Sequence, residues 1–232
     1  MMKKLITILL MGVMWLPALG RASEAAVKLD HPEYTFDRET IQRGAKIFAE
    51  YCFTCHSVKY MRYNRLVADL GMPESVVKQE IMRPDGAKIN GNMTVTMSHD
   101  DAAAWFGKAP PDLSLEARAR GVDWIYTYLR SFYRDNGRPT GWNNHVFPMV
   151  AMPNVLAPLQ GEKDANGKVI QAGSMTPQQF DKTVADLTAF LQYVSDPSEL
   201  KRQSMGPYVL GFLLIFTILA YLLKREYWRD VH

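Results

Sequence analysis

The sequence predicts a mostly α-helical domain tethered by one C-terminal transmembrane helix. A stripe of apolar residues at helical spacing runs through Ile41, Ala45 and Phe48, and a second amphipathic helix begins at Thr176. Residues 205–223 then form an uncharged apolar run, which as a helix of about 28 Å is long enough to cross a bilayer core. With 47% hydrophobic residues and only 2 Cys, the chain is too apolar for disorder and too poor in cysteine for a disulfide scaffold.

The charge balance argues against nucleic acid as a partner. The whole chain has a formal net charge of +3, but the positive excess lies at its two ends. Residues 23–200 carry 19 basic and 22 acidic side chains, a net charge of −3. Because a nucleic-acid-binding domain needs a basic surface, we expect no nucleic-acid partner.

The beginning of the chain has the pattern of a secretory signal peptide. Residues 1–22 combine a short basic start, an apolar stretch and a small-residue cleavage site that ends at Ala22. An uncleaved N-terminal anchor is the alternative interpretation. The pattern favours an exported protein.

The apolar run at residues 205–223 predicts a membrane anchor. Basic pairs flank it on both sides, and Tyr227 and Trp228 follow at the position of an aromatic belt. Because export places the preceding domain outside, the residues after the span should be cytoplasmic. The predicted parts are a signal peptide (1–22), an exported domain (23–200) and an anchor with a short tail (201–232).

The first helix leads directly into the motif Cys52-Phe-Thr-Cys55-His56. Cys-x-x-Cys-His is the attachment signature of c-type haem. Sulfurs three residues apart can reach the two vinyl-derived carbons of one porphyrin edge, and the adjacent His56 can then serve as an axial iron ligand. We therefore expect one haem c that uses both Cys52 and Cys55, in a cytochrome c-like monohaem domain.

Three other uses of this motif compete with haem attachment. A thiol redox pair usually follows a strand and opens a helix, whereas this one closes a helix. A zinc site needs more ligands than the neighbouring sequence offers. A structural disulfide would leave His56 without a role.

The sixth iron ligand is expected in the segment from Val146 to Asn154. Pro153 pushes Met152 out of helical geometry into an extended conformation, as a loop holding a thioether over the open haem face would require. Met149 lies just upstream and has the same chemistry. The other candidates are the remaining histidines: His31, His99, His145 and His232.

A Pro-rich turn and an aromatic helix lie between these two segments. Asp112 is expected to cap a short helix that ends at Gly121, and either Arg118 or Arg120 in that helix can pair with a haem propionate. The next helix is predicted over 124–133. Its aromatic residues suit the wall of a large flat cofactor, but ordinary core packing would look the same; they are Trp124, Tyr126, Tyr128, Phe132 and Tyr133.

The last helix before the anchor has clear boundaries. Thr176 as cap, Pro177 at the first position and Gln179 in a capping box predict its start, and Asp196-Pro197 predicts its end. Its predicted buried stripe comprises Phe180, Val184, Leu187, Leu191 and Val194. This helix can cross the one that carries the Cys-x-x-Cys-His motif.

Taken together, these features resemble the cytochrome c1 family, the haem subunits of quinol:cytochrome c oxidoreductase (bc1) complexes. The matching pieces are Arg43-Gly44, the stretch from Tyr51 to Tyr60, Met82-Arg83-Pro84, the stretch from Ala109 to Ser114, Arg118-Ala-Arg120, Val146-Phe-Pro148, Met152-Pro153 and the C-terminal anchor. The resemblance implies that Met152 is the axial ligand and that Arg120 contacts a propionate.

The resemblance also implies a function and a location. We expect a one-electron carrier that takes electrons from a Rieske iron–sulfur protein, sits beside cytochrome b and reduces a cytochrome c, with no turnover of its own. The short signal peptide indicates a bacterial inner membrane with the haem domain on the periplasmic side. The alternatives are a membrane-anchored cytochrome c subunit of a terminal oxidase and, in a different class, a tethered thiol-disulfide oxidoreductase.

Overall fold

The computed structural model describes residues 27–83 and 86–230, of which about half are helical. This confirms the predicted mostly α-helical class with an apolar C-terminal helix. The helices are α1 (Arg38–Tyr51), α2 (Tyr63–Ala68), α3 (Glu74–Val76, continued by a π-helical turn, Val77–Ile81), α4 (His99–Phe106), α5 (Glu116–Arg120), α6 (Val122–Arg130), α7 (Ala157–Gln160), α8 (Pro177–Ser195) and α9 (Glu199–Tyr227).

Three two-stranded antiparallel sheets lie between these helices; the second and third are hairpins, whereas α2 and α3 lie between the strands of the first. Their strands are β1 (Val58–Arg62) with β2 (Asn92–Met93), β3 (Phe132–Arg134) with β4 (Trp142–Asn144), and β5 (Gly161–Lys163) with β6 (Val169–Ala172). Each is too small to form a layer of its own. The three sheets pair short segments that lie between helices.

The core forms where α1 crosses α8. Phe48 of α1 packs against Phe190 of α8, with their ring centroids 5.3 Å apart, and both side chains are fully buried. Gly44 permits this close crossing, because a Cβ at that position would lie only 2.0 Å from the backbone oxygen of Asp186. The Asp186 carboxylate also accepts a hydrogen bond of 2.6 Å from Arg43 Nε. The crossing holds the C-terminal end of α1 in a fixed place.

Local signals define both helices of this crossing. The Asp37 side chain accepts a hydrogen bond from the Thr40 N–H and caps α1. Thr176 and Gln179 form the predicted capping box of α8, Pro177 is its first residue and Asp196 caps its end. The five residues of the predicted stripe of α8 are all buried.

The aromatic helix differs from its prediction. The sequence predicts one helix over 124–133, whereas α6 ends at Arg130, and Phe132 and Tyr133 belong to β3. Phe132 pairs with Asn144 and Tyr133 with Asn143 across the hairpin. This pairing joins residues distant in sequence, so helical periodicity alone does not predict it.

Helix α9 stands apart from the core. It is 29 residues long and strongly apolar, none of its most hydrophobic window is buried, and it is the one helix in the described part of the chain with the length and composition to cross a membrane. It begins before the predicted span of 205–223 and contains Pro207. The predicted signal peptide, residues 1–22, lies outside the described residues.

Candidate functional site

The Cys-x-x-Cys-His motif lies in a tight turn at the end of α1. The backbone N–H groups of Cys55 and His56 both donate to the carbonyl oxygen of Cys52, at 3.1 and 2.9 Å. Both thiols are free, and Cys52 is buried whereas Cys55 is partly exposed. All three side chains line one cavity of about 330 Å³.

The imidazole of His56 is held in one tautomer. His56 is only 8% exposed, and its Nδ1 lies 2.8 Å from the carbonyl oxygen of Pro111. Because a carbonyl oxygen can only accept, Nδ1 must carry the proton, which leaves Nε2 with a free lone pair. Burial lowers the pKa of His56, so the neutral ring is favoured. This is the form that can bind a metal ion.

The Pro-rich segment that supplies the Pro111 carbonyl is fastened to the segment after the motif. The Asp112 carboxylate accepts hydrogen bonds from the backbone N–H of Lys59 at 2.9 Å and of Ser114 at 3.0 Å. Asp112 therefore does not cap α5 as predicted, since the N-cap position is Leu115. Its carboxylate instead fixes the carbonyl that orients His56.

The loop after β4 places the two candidate methionines in different surroundings. Met152 is half-buried, lines the cavity, and has its Sδ 3.4 Å from the hydroxyl of Tyr128. Met149 is 67% exposed, adopts a left-handed backbone conformation with φ of 64°, and points its sulfur at Arg138. The cavity lining includes Met152 and does not include Met149.

Two buried asparagines, which the sequence analysis did not single out, hold this loop. Asn144 accepts hydrogen bonds from the N–H groups of Val146 and Phe147, at 2.8 and 3.1 Å, and donates to the Tyr128 carbonyl oxygen at 2.8 Å. Asn143 accepts from the N–H of Met149 at 2.9 Å. Adjacent asparagines before a loop are typical of side chains that cap backbone groups, but sequence alone does not say which groups they cap.

The structure also distinguishes the two candidate arginines by their position relative to the cavity. Arg120 lines the cavity, its guanidinium lies 4.4 Å from the ring centroid of Trp124, and its Nε donates to Glu116 at 2.9 Å. Phe147 lies near the other side, with its centroid 5.7 Å from the same guanidinium. Both arginines are exposed, but Arg118 does not belong to the cavity lining.

Some of the aromatic residues around α6 line the cavity and others pack in the core, so both of the uses considered from the sequence occur. Trp124 and Tyr128 line the cavity and stack at 4.9 Å with an interplanar angle of 8°. Tyr126 and Phe132 are buried in hydrophobic clusters and do not line the cavity. Helical spacing alone could not distinguish these two sets.

The donor set and the cavity fit a haem. The wall is largely apolar, it offers one imidazole with a free Nε2 and one thioether, and two free thiols lie beside that imidazole. No cluster of three or more metal-ligating His, Cys, Asp or Glu side chains occurs in the described residues. Burial raises the pKa of the Cys52 thiol to about 12, the opposite of what an activated redox thiol requires.

A half-helical domain with this motif at an apolar cavity, followed by one exposed apolar helix, has the make-up of a membrane-anchored cytochrome. The cytochrome C1 family model matches residues 28–231. The chain therefore belongs to the cytochrome c1 family and is a haem-based electron carrier of the bc1 complex.

Several curated proteins are similar over most of their length. Cytochrome c1 of Allochromatium vinosum is 48% identical over 84% of this chain and 86% of its own length. A protein named ammonia monooxygenase gamma subunit, from Nitrosomonas europaea, is 44% identical over 99% of this chain and 100% of its own. Cytochrome c1 of Rhodospirillum rubrum is 30% identical over 91% of this chain and 92% of its own.

Proposed function

We propose that Cys52 and Cys55 would hold the haem covalently and that His56 and Met152 would be the two residues that bind its iron. The observation that carries this proposal is the convergence of two free thiols, one imidazole and one thioether on a single cavity. The fixed tautomer of His56 supports its role, because the free Nε2 is the atom that would bind iron. The exposure of Met149 favours Met152 as the second ligand.

The residues of the chain position the cofactor and tune it. When bound, the haem supplies a one-electron Fe(III)/Fe(II) couple. The Pro111 carbonyl orients His56, and the soft thioether of Met152 favours the reduced state. Arg120 is proposed to contact a propionate, and Glu116 and Trp124 hold its guanidinium in place. The apolar wall excludes water.

We further propose the electron path and the location. The chain takes one electron from the Rieske iron–sulfur protein and passes it to a cytochrome c, with cytochrome b and the Rieske protein as its neighbours in the complex. Helix α9 anchors it in a bacterial inner membrane with the haem domain on the periplasmic side. No residue of this chain is proposed to be catalytic, and the chain has no turnover of its own.

Purification of the tagged protein from its native membrane tests the assembly. The account predicts that a b-type cytochrome and an iron–sulfur protein co-purify with it and that the preparation oxidises quinol with reduction of cytochrome c. Co-purification with a copper-containing or haem–copper oxidase would favour the terminal oxidase alternative. Co-purification with monooxygenase subunits would instead indicate that this chain belongs to a monooxygenase assembly, as the name of the Nitrosomonas europaea relative suggests for that protein.

A further inference from the structure

The ring of Tyr128 is fixed on several sides. Trp124 stacks on it at 4.9 Å, and Phe132 meets its plane at 69° with a centroid distance of 5.1 Å. Its carbonyl oxygen accepts a hydrogen bond from Asn144 Nδ2. The position of the hydroxyl is therefore set by the packing of its ring, independently of Met152 in the loop after β4.

The hydroxyl of Tyr128 points at the thioether of Met152. The oxygen lies 3.4 Å from Sδ, within the range of a hydrogen bond to sulfur, and a thioether carries no proton, so the tyrosine must be the donor. A tyrosine hydroxyl ordinarily has a pKa of about 10, so it carries its proton at neutral pH. Among the described residues, Met152 Sδ is the hydrogen-bond partner of this hydroxyl.

We infer that the Tyr128 hydroxyl raises the reduction potential of the site by donating a hydrogen bond to the sulfur of Met152. The inference rests on the proposed function, because it takes Met152 as the axial ligand. A hydrogen bond to sulfur withdraws electron density, so the thioether donates less to the oxidised iron. The positive end of the O–H dipole also points towards the site of the additional charge. Both effects disfavour the oxidised state.

The hydroxyl of a half-buried tyrosine in an apolar wall is not explained by packing alone. A phenylalanine would make the same ring contacts, and burial of a hydroxyl without a partner costs free energy. A thioether is a weak acceptor, so this pairing is a poor way to stabilise the fold. Tyr128 is therefore best understood as a tuning residue that acts through Met152.

The test is Tyr128→Phe in the full-length membrane protein, with Tyr126→Phe as the matched control. Tyr126 belongs to the same helix but not to the cavity lining. At a fixed ambient potential, Tyr128→Phe should lower the ratio of reduced to oxidised protein roughly fivefold, or about 40 mV at 59 mV per tenfold change. The control should leave the ratio unchanged.

Ligand exchange gives a readout that does not depend on turnover. Without the hydrogen bond, the sulfur binds the oxidised iron more tightly, so imidazole should displace Met152 from the oxidised Tyr128→Phe protein at higher concentration than from the wild type. Site-specific replacement of Tyr128 by 3-fluorotyrosine keeps the ring and gives a stronger donor. That variant should shift the potential and the imidazole titration in the opposite direction.

The outcomes separate this inference from the function on which it rests. A wild-type protein with the sulfur-to-iron charge-transfer band, combined with unchanged potential and imidazole affinity in Tyr128→Phe, would overturn the inference and leave the ligand assignment intact. A wild type without that band would overturn both. If Tyr128→Phe loses the haem, an unchanged potential in the 3-fluorotyrosine variant would still refute the inference.

Discussion

At the scale of single residues, Met152 and Met149 have the same chemistry but different environments. Replacing Met152 by Leu removes the proposed thioether ligand, and replacing it by His supplies a stronger donor that favours the oxidised iron. Both variants should therefore have a lower reduction potential, while Cys52, Cys55 and His56 still retain the haem. Redox titration of the purified protein measures the change.

Met149→Leu is the control for this pair. Its side chain is 67% exposed, so the substitution should change the free energy of unfolding by no more than about 0.5 kcal/mol and leave the potential unaltered. The ligand assignment is wrong if Met149→Leu collapses the potential and Met152→Leu does not.

Arg120 and Arg118 provide a second pair of matched variants. Arg120→Gln removes a cation from the cavity wall, and a nearby positive charge favours the reduced iron by about 1 kcal/mol. The potential should therefore fall. Arg118→Gln, at an exposed position outside the cavity, should leave it unchanged. Redox titrations that give the two variants the same potential would remove Arg120 from the proposed site.

At the scale of structural elements, the conformation of the loop after β4 depends on hydrogen bonds to Asn144. Asn144→Ala leaves two loop N–H groups and the Tyr128 carbonyl without their partner, at a cost of about 1–3 kcal/mol for each group that stays buried. We expect a lower melting temperature and easier displacement of Met152 by imidazole. Asn166→Ala, an exposed turn residue in the β5–β6 hairpin, should change neither quantity.

The elements that the sequence predicts well are those with local signals. Thr176 and Gln179 lie three residues apart, so the start of α8 follows from its own residues. Asp112 was wrongly predicted as a helix cap, because its carboxylate binds the distant N–H of Lys59. The end of α6 was likewise missed because Phe132 pairs with Asn144.

In the candidate site, too, local patterns were predictable from the sequence and contacts between distant residues were not. The motif of Cys52, Cys55 and His56 lies within five consecutive residues and can be recognised from the sequence. The Pro111 carbonyl that orients His56 lies 55 residues away and cannot. The residues alone left the choice between Arg118 and Arg120 open, and the family resemblance favoured Arg120. In the structure Arg120 lines the cavity and Arg118, two residues earlier in the same helix, does not. Tyr128 was expected as part of an aromatic wall, but its contact with Met152 needed the fold.

At the scale of the whole molecule, the domain and its anchor are separable. The described side chains of α9 contribute only Leu200 to the edge of the core. A stop codon in place of Ser204 should therefore release a soluble haem protein into the periplasmic fraction, as measured by haem absorbance after cell fractionation. Retention on salt-washed membranes in a strain that lacks the partner subunits would contradict a single anchor.

The central claim is that this molecule carries one haem bound through both cysteines, and covalent attachment tests it most directly. The wild-type polypeptide should be extracted with acidified acetone and then examined by its absorption spectrum in alkaline pyridine. The account predicts one haem per chain that stays with the denatured protein, a spectrum altered by loss of one thioether in Cys52→Ala or Cys55→Ala, and no retained haem in the double variant. A wild-type polypeptide that loses its haem to the solvent would contradict the account.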